Sequence, residues 1–457
     1  MPPEKSAYAL ARYSRSADSI RQSIEWVRTH DSAKFLDNFY FQYGHASIAD
    51  LGHLALCFEG ISELAATDIE DEQLWDGQAK SSRYQDFSLL GVITPPEFTP
   101  EEAARYQAAA AALIETYQRV REHAFAELTS RLPRPEAMPP AAYERNLAAR
   151  AFDVARYLLP FGVPTNIGQV TSIRTLERQI RRMKASEYGE LRQLGDEAAQ
   201  ACAAKPECLW DAASTEPIAP TLAKYVNADE HLAQSRRDLK LWARQNLPAL
   251  PEAVEDIDLM RPAELAADIV ATLLYPVTHA PYRSLYELAA GWPASQRAEV
   301  IDVALRSRGR HDDLLTSFRG GLYVYDMIMD VGAYRDMHRH RRCQQFRQAY
   351  DGRLGWATPD GAPGFYAPAM ESAWATMRSL PEPGSHYLLP FAARGRFLFK
   401  MDFAEAQYIA RLRSGVKGHF SYRRVAWAMK ERMEKLEPEL ASLMAGTPPW
   451  EEDPLTR

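Results

Sequence analysis

Cysteine is scarce: Cys57, Cys202, Cys208 and Cys343 are the only four in 457 residues. They are too few and too scattered for a disulfide framework. Cys202 and Cys208 stand six apart, outside the C-x2-4-C spacing of a zinc site. No stretch approaches about 18 consecutive apolar residues, so no transmembrane helix is expected. The opening MPPEKSAYALARYSRSADS has no apolar h-region, and no secretory leader is expected. An excess of positive charge is missing as well, since 54 Lys and Arg against 61 Asp and Glu leave −7. That argues against wholesale binding of nucleic acid or an anionic membrane, while a local basic patch could still hold phosphates. A cytoplasmic chain with reduced thiols is the expectation. Strand signals are weak, confined to Leu89–Thr94 before Pro95-Pro96 and to Phe397-Leu398-Phe399.

What is present reads mostly as helix, rich in Ala, Leu, Arg and Glu and punctuated by Pro clusters. The length predicts two or three domains, at roughly 100–200 residues each. Pro139-Pro140 opens a helix over Ala141 to Leu159, with Leu147, Ala151, Val154 and Leu158 on one face. A second long helix is expected from about Asp312 to Arg342, on the pattern Leu322, Val324, Ile328, Val331, Tyr334. A third is expected over Phe403 to Arg413. Segments near 244–263 and 352–383 read as connectors, and Glu252, Glu255, Asp256 and Asp258 as a solvated acidic surface.

The two halves resemble each other. ARYLLPFGVP (155–164) precedes the basic helix TSIRTLERQIRRM (171–183), and SHYLLPFAAR (385–394) precedes FAEAQYIARLR (403–413). A recurring Y-L-L-P-F, each time followed by a helix, implies a duplicated domain. We place the repeats at 1–240 and 241–457. Repeat one carries an extra segment near 98–135, centred on Arg105 to Leu128, that reads as an Ala-rich amphipathic helix.

The most pointed motif is Arg335-Asp336-Met337-His338-Arg339-His340-Arg341-Arg342. On a helix, Arg335, Arg339 and Arg342 share one face, and Asp336 lies one turn before His340, where it could orient the imidazole. Crowded guanidinium groups need an anion or carboxylates between them, and phosphates would serve. A solvated basic helix end is the plainer alternative. The arginines oppose a metal at His338-x-His340. Other candidates are Gly44-His45-Ala46-Ser47, the run from His53 to Phe58, and Glu59-Gly60-Ile61-Ser62. Ser81-Ser82-Arg83-Tyr84 could cradle a phosphate, and Arg156 stands just before the Leu-Leu-Pro break.

In this order the motifs resemble the flavin-dependent thymidylate synthases, over roughly residues 40–200 and 305–435. That family carries H-x-S or H-x-T, then E-G-I-S-R, R-H-R, S-x-R-Y, A-R-x-x-L-P and a basic helix. Each half here is incomplete. In repeat one the R-H-R position falls on Asp71-Glu72-Gln73, while repeat two has Arg347-Gln348-Ala349-Tyr350 for S-x-R-Y and His386 for the Arg before L-L-P. Ser172 and Glu177, with Asp402 and Gln407, stand where the family has Asn and Arg on the following helix.

The resemblance implies an α+β fold, predominantly helical, with two tandem synthase-like domains each holding a small antiparallel sheet. It implies C5-methylation of dUMP to dTMP with FAD as cofactor and NADPH and methylenetetrahydrofolate as co-substrates. Arg339 would be catalytic. Arg335, Arg339, His340, Arg341, His45 and His53 would bind the cofactor, and Ser81, Ser82, Arg83, Arg156 and Arg174 the nucleotide. No metal is implied. Family members are homotetramers with sites between subunits, so a homodimer of tandem chains would act as a pseudo-tetramer, with composite sites built from both repeats. Two rival readings stand beside this one: another uracil nucleotide as substrate, or a non-catalytic flavin- or nucleotide-binding protein.

Overall fold

A computed structural model describes residues 1–30, 46–83, 86–87, 91–206, 216–221, 223, 226–252, 255–309, 312, 314–319, 321–453 and 455. Helices dominate, with two small sheets, and the fold is α+β. The chain folds into two compact units that it enters alternately. The first holds residues 1–61, 68–80 and 165–230, and the second 62–67, 81–164 and 231–457. The linear division at residue 240 is therefore not the division of packing.

The first unit holds a three-stranded sheet in the order β1-β3-β2, from β1 (His53–Ser62), β2 (Trp75–Ala79) and β3 (Pro164–Ser172). β2 and β3 are antiparallel, from Trp75↔Thr171 to Ala79↔Ile167. The helix Ile173–Lys184 follows β3, capped by the Ser172 side chain, which accepts from Thr175 N. Here the position equivalent to R-H-R is occupied by acid. Glu72 meets Arg178 at 3.2 Å and Arg182 at 3.5 Å, so the basic helix of repeat one neutralises its own sheet-side motif.

The second unit holds a four-stranded sheet in the order β4-β5-β7-β6, from β4 (Ile257–Met260), β5 (Tyr323–Asp330), β6 (Gln344–Arg347) and β7 (Arg394–Met401). β5-β7-β6 repeats the order β1-β3-β2, and β4 is added at the edge. A seven-residue helix follows β1 (Glu63–Ile69) and another follows β5 (Val331–Met337). The helix Phe403–Arg413 follows β7 with Asp402 as its cap, the counterpart of Ser172. The two Y-L-L-P-F phrases, both in this unit, pair reciprocally. Phe161 N donates to Leu389 O (2.9 Å) and Gly162 N to Tyr387 O (2.7 Å), while Phe391 N donates to Leu159 O (2.9 Å) and Ala392 N to Tyr157 O (3.1 Å).

The long helix expected over 312–342 is instead β5, a short helix and a turn. β5 is buried on both faces along most of its length, so its apolar run carries no period of two and fits either element. The acidic connector contains β4, and Asp258 is ion-paired to Arg283 at 2.7 Å. The segment 352–383 contains the helix Tyr366–Ser379. The strand expected over Leu89–Thr94 is absent at 91–94, and 89–90 lie outside the described residues. The extra segment of repeat one is a helix, Pro100–Arg131, opened by a Thr99–Glu102 capping box. Leu239, Trp242, Val270, Leu273, Val300 and Val303 pack with sheet residues Val324, Phe346 and Leu398, so the helices between 230 and 305 and the sheet share one core.

Candidate functional site

Ser81, Ser82, Arg83, Arg156, Arg335, Asp336 and Arg339 line one narrow cleft of the second unit, enclosing about 10 Å³. Residues from both sequence repeats thus meet there. Arg156 opens a single 3-10 turn, Arg156–Leu158, after the helix Pro140–Ala155. Arg335 and Asp336 lie on the helix Val331–Met337, whose cap Asp330 accepts from Ala333 N at 2.7 Å. Gly332 lets the Arg156 guanidinium lie against the first turn of that helix. Arg156 Nη2 donates to Gly332 O at 3.1 Å, and a Cβ at 332 would come within 3.4 Å of the same nitrogen.

The helix ends at Met337, so Arg339-His340-Arg341 sits in the turn before β6. The shared face of Arg335, Arg339 and Arg342 does not exist, although Arg335 and Arg339 reach the same cleft. Nor does Asp336 orient His340. The His340 Nδ1 lies 3.2 Å from Glu405 Oε1, and its Nε2 accepts from Arg413 Nε at 2.8 Å. An arginine can only donate, so the proton of neutral His340 is assigned to Nδ1, which donates to Glu405. Burial lowers the His340 pKa, and Arg413 adds to this against the opposing pull of Glu405.

Most of the cleft's positive charge is already matched. Arg83 makes a two-pronged pair with Asp153 at 2.9 and 3.2 Å, and also donates to Tyr422 Oη and Lys417 O. Both Nη atoms of Arg156 donate to Asp336 Oδ2 at 3.2 Å. Arg335 pairs with Glu63 at 2.6 Å, donates to Ser82 Oγ, and lies 4.7 Å over the Phe391 ring. Burial alone would raise the Asp336 pKa, yet Arg156, Arg83, Arg339 and Arg413 outweigh it and hold the carboxyl below its ordinary value. Arg339 is exposed and makes no ion pair among the described residues. The buried Arg156 Nε has no hydrogen-bond partner among them either.

The remaining sequence candidates are spread out. Arg341 is partly buried beside His340. His53 is exposed on β1, and Arg174 pairs with Asp50 at 3.0 Å, both in the first unit. His45 lies outside the described residues. The sequence reading missed Asp153, Glu63, Glu405 and Arg413. Glu63 had a signal, because it follows Glu59-Gly60-Ile61-Ser62, where the resembling phrase E-G-I-S-R has Arg. Among the described residues no group of three or more His, Cys, Asp or Glu could hold a metal, and no helix is long and apolar enough to cross a membrane.

A family described as "Thymidylate synthase complementing protein" matches residues 1–205 and 299–439. A UPF0159 protein of Chlamydia muridarum is 26% identical over 440 residues, covering 90% of this chain and 79% of the relative. A UPF0159 protein of Thermoplasma acidophilum is 23% identical over 490 residues, covering 95% and 93%. Among solved structures, the flavin-dependent thymidylate synthase ThyX of Helicobacter pylori complexed with FAD and dUMP is 15% identical with a TM-score of 0.29, over 44% of this chain and 89% of that one. With most of its length matched, the chain belongs to the thymidylate synthase complementing protein family, that of the flavin-dependent thymidylate synthases whose motifs it carries.

Proposed function

We propose that the protein is a flavin-dependent enzyme that methylates C5 of a uracil nucleotide, in the first instance dUMP to dTMP. Methylenetetrahydrofolate supplies the carbon and NADPH the reducing equivalents. The observation that carries this reading is the convergence of Ser81, Ser82, Arg83 and Arg156 with Arg335 and Arg339 in one cleft. The donors there suit a phosphate-bearing group: an exposed guanidinium, a buried Arg156 Nε without a partner, and serine hydroxyls. FAD, when bound, carries the reducing equivalents.

The chain's own residues position and stabilise. Arg339 is free to approach developing negative charge on a uracil carbonyl, the role in which a preorganised cation lowers a barrier. Arg156 Nε and Ser81 hold phosphate. Arg335, fixed by Glu63 and Phe391, sets the wall against which the ligand rests. Arg83 acts mainly as a positioning residue, because most of its donors serve Asp153, Tyr422 and Lys417. His340 and Arg341 shape the turn that carries Arg339; His53 and Arg174 lie in the first unit and do not line this cleft. The space the cleft encloses, about 10 Å³, is far smaller than the roughly 300–1,000 Å³ that encloses a drug-sized ligand. A dinucleotide therefore needs a further wall, the kind that a homodimer acting as a pseudo-tetramer supplies.

The test is the visible absorption spectrum of the purified protein, before and after excess dUMP. A flavin spectrum perturbed by dUMP is expected. A flavin spectrum indifferent to dUMP favours another uracil nucleotide. A colourless protein that takes up no added FAD overturns the enzyme reading.

A further inference from the structure

His340, the middle residue of Arg339-His340-Arg341, is 4% exposed and has no ring nitrogen left for a ligand. Its Nδ1 donates to Glu405 Oε1 at 3.2 Å, and its Nε2 accepts from Arg413 Nε at 2.8 Å. Glu405 and Arg413 stand in the first and last turns of one helix, Phe403–Arg413. About two turns separate them along the same helix face, and the imidazole spans the gap. Glu405 is buried, and His340 is its one side-chain partner among the described residues. A buried carboxylate thus serves to fix the proton of a neutral ring.

Arg413 gains a fixed direction from this and keeps its charge. In direct contact Glu405 would neutralise it, whereas the interposed ring holds the two groups apart, and their attraction falls with distance. Only Nε is taken up, and neither Nη of Arg413 makes a hydrogen bond among the described residues. The guanidinium lies beside the cleft. Its carbon is 5.7 Å from the centre of the Tyr422 ring, as is that of Arg83, which donates to Tyr422 Oη at 2.9 Å. The charge of Arg413 also reaches the cleft. Against the effect of burial, it joins Arg156, Arg83 and Arg339 in holding the Asp336 carboxyl below its ordinary value.

We propose that Glu405 is a positioning residue for anion binding in the cleft, acting through His340 on Arg413. Glu405 holds the imidazole proton on Nδ1, the bare Nε2 takes Arg413 Nε, and both Nη groups are left for an anionic ligand. Without an acceptor at 405 the ring adopts either tautomer, and the Nε2–H form turns one donor against another. The inference rests on the reading of the cleft as a uracil-nucleotide site. It assigns His340 to the support of an arginine rather than to the cofactor.

Isothermal titration calorimetry at pH 8 tests this, with dUMP and inorganic phosphate as probes. The proteins are the full chain, Glu405→Gln, Glu405→Leu, Arg413→Gln and the double variant Glu405→Leu/Arg413→Gln. Glu405→Leu should weaken dUMP binding about tenfold, and Glu405→Gln, whose amide oxygen still accepts, by less than about threefold. The double variant should bind no more weakly than Arg413→Gln, because Glu405 acts on the ligand only through Arg413. Equal losses in the Gln and Leu variants, or losses that add in the double variant, overturn the inference and leave the uracil reading standing. Should Glu405→Leu fail to fold, NMR of isotopically labelled histidine nitrogens in the wild-type protein reads the tautomer, with His340 assigned by its loss in His340→Gln. A protonated Nδ1 and a bare Nε2 are expected, and the reverse overturns the inference. Phosphate bound as tightly as dUMP overturns the uracil reading, and the same variants then test Glu405 with phosphate. Binding of neither probe by the wild type overturns both.

Discussion

Two arginines of one cleft differ in what surrounds them, and so in what their removal does. Arg339 is exposed and unpaired among the described residues, so Arg339→Ala should change stability by no more than about 0.5 kcal/mol. If it faces developing charge, the same substitution should lower kcat by roughly 100–1,000-fold. Steady-state kinetics beside a thermal melt separates the two effects. Arg83 is the reverse case. Its pair with Asp153 is buried on both sides, so Arg83→Ala strands a carboxylate. We expect a loss of about 3–5 kcal/mol, seen as a fall in the denaturant midpoint. A loss under about 1 kcal/mol would mean that Asp153 finds water or another donor. None of this follows from spacing alone, because an S-x-R tripeptide reads the same whether its Arg faces a ligand or a buried acid.

At the scale of the element, the sequence was read well where one face is wet. The helix Phe403–Arg413 lies at its expected boundaries. The helix opened by Pro139-Pro140 runs Pro140–Ala155, with its expected tail as a 3-10 turn. The reading failed at β5, where burial on both faces removes the alternation that marks a strand. It also failed to see how the helices between 265 and 305 dock on the sheet. Lys400 of β7, 1% exposed, gives two hydrogen bonds to Asp268 at 2.6 and 2.7 Å, and Tyr282 Oη donates to the same carboxylate. Burial lowers the Lys400 pKa against the pull of Asp268, so the pair is costly to split. Asp268→Asn should cost about 3–5 kcal/mol, while an apolar replacement of both partners should cost much less. Chemical denaturation of the single and double variants measures the difference. A single variant as stable as the double would show that the pair does not anchor this layer.

For the whole molecule, buried imidazoles set an acid limit. His419 is fully buried. Its Nε2 lies 3.0 Å from Asp153 O, and its Nδ1 accepts from Ser421 N. Burial, reinforced by Arg156, Arg83, Arg150 and Arg424, pushes its pKa well below 6.5, and that of His340 is lowered too. A lowered folded-state pKa means that the unfolded chain takes up the proton first. The stability from these sites is therefore present above pH 6.5 and is lost as pH falls towards the depressed values. Melting temperature should drop between pH 6.5 and 5, and the slope should be shallower in His419→Gln. An identical slope in the variant would assign the acid limit to other groups.

The sequence by itself determined the family, the helical character and the motifs in each half, because these reside in local order: Y-L-L-P-F twice, R-H-R once, S-S-R once. The separation of the S-S-R and R-H-R motifs between the halves was also legible, since it needs only counting. Tertiary structure alone decided that Ser81 to Arg83 and Arg156 meet Arg335 and Arg339 within one chain. It also decided that Asp336 faces Arg156 rather than His340, and that Glu63 and Asp153 pair with two of the cleft's four arginines. Net charge at a site is a sum over neighbours in space. Asp336 lies 180 positions from Arg156, and Arg335 lies 272 from Glu63, separations that no local pattern of residues spans.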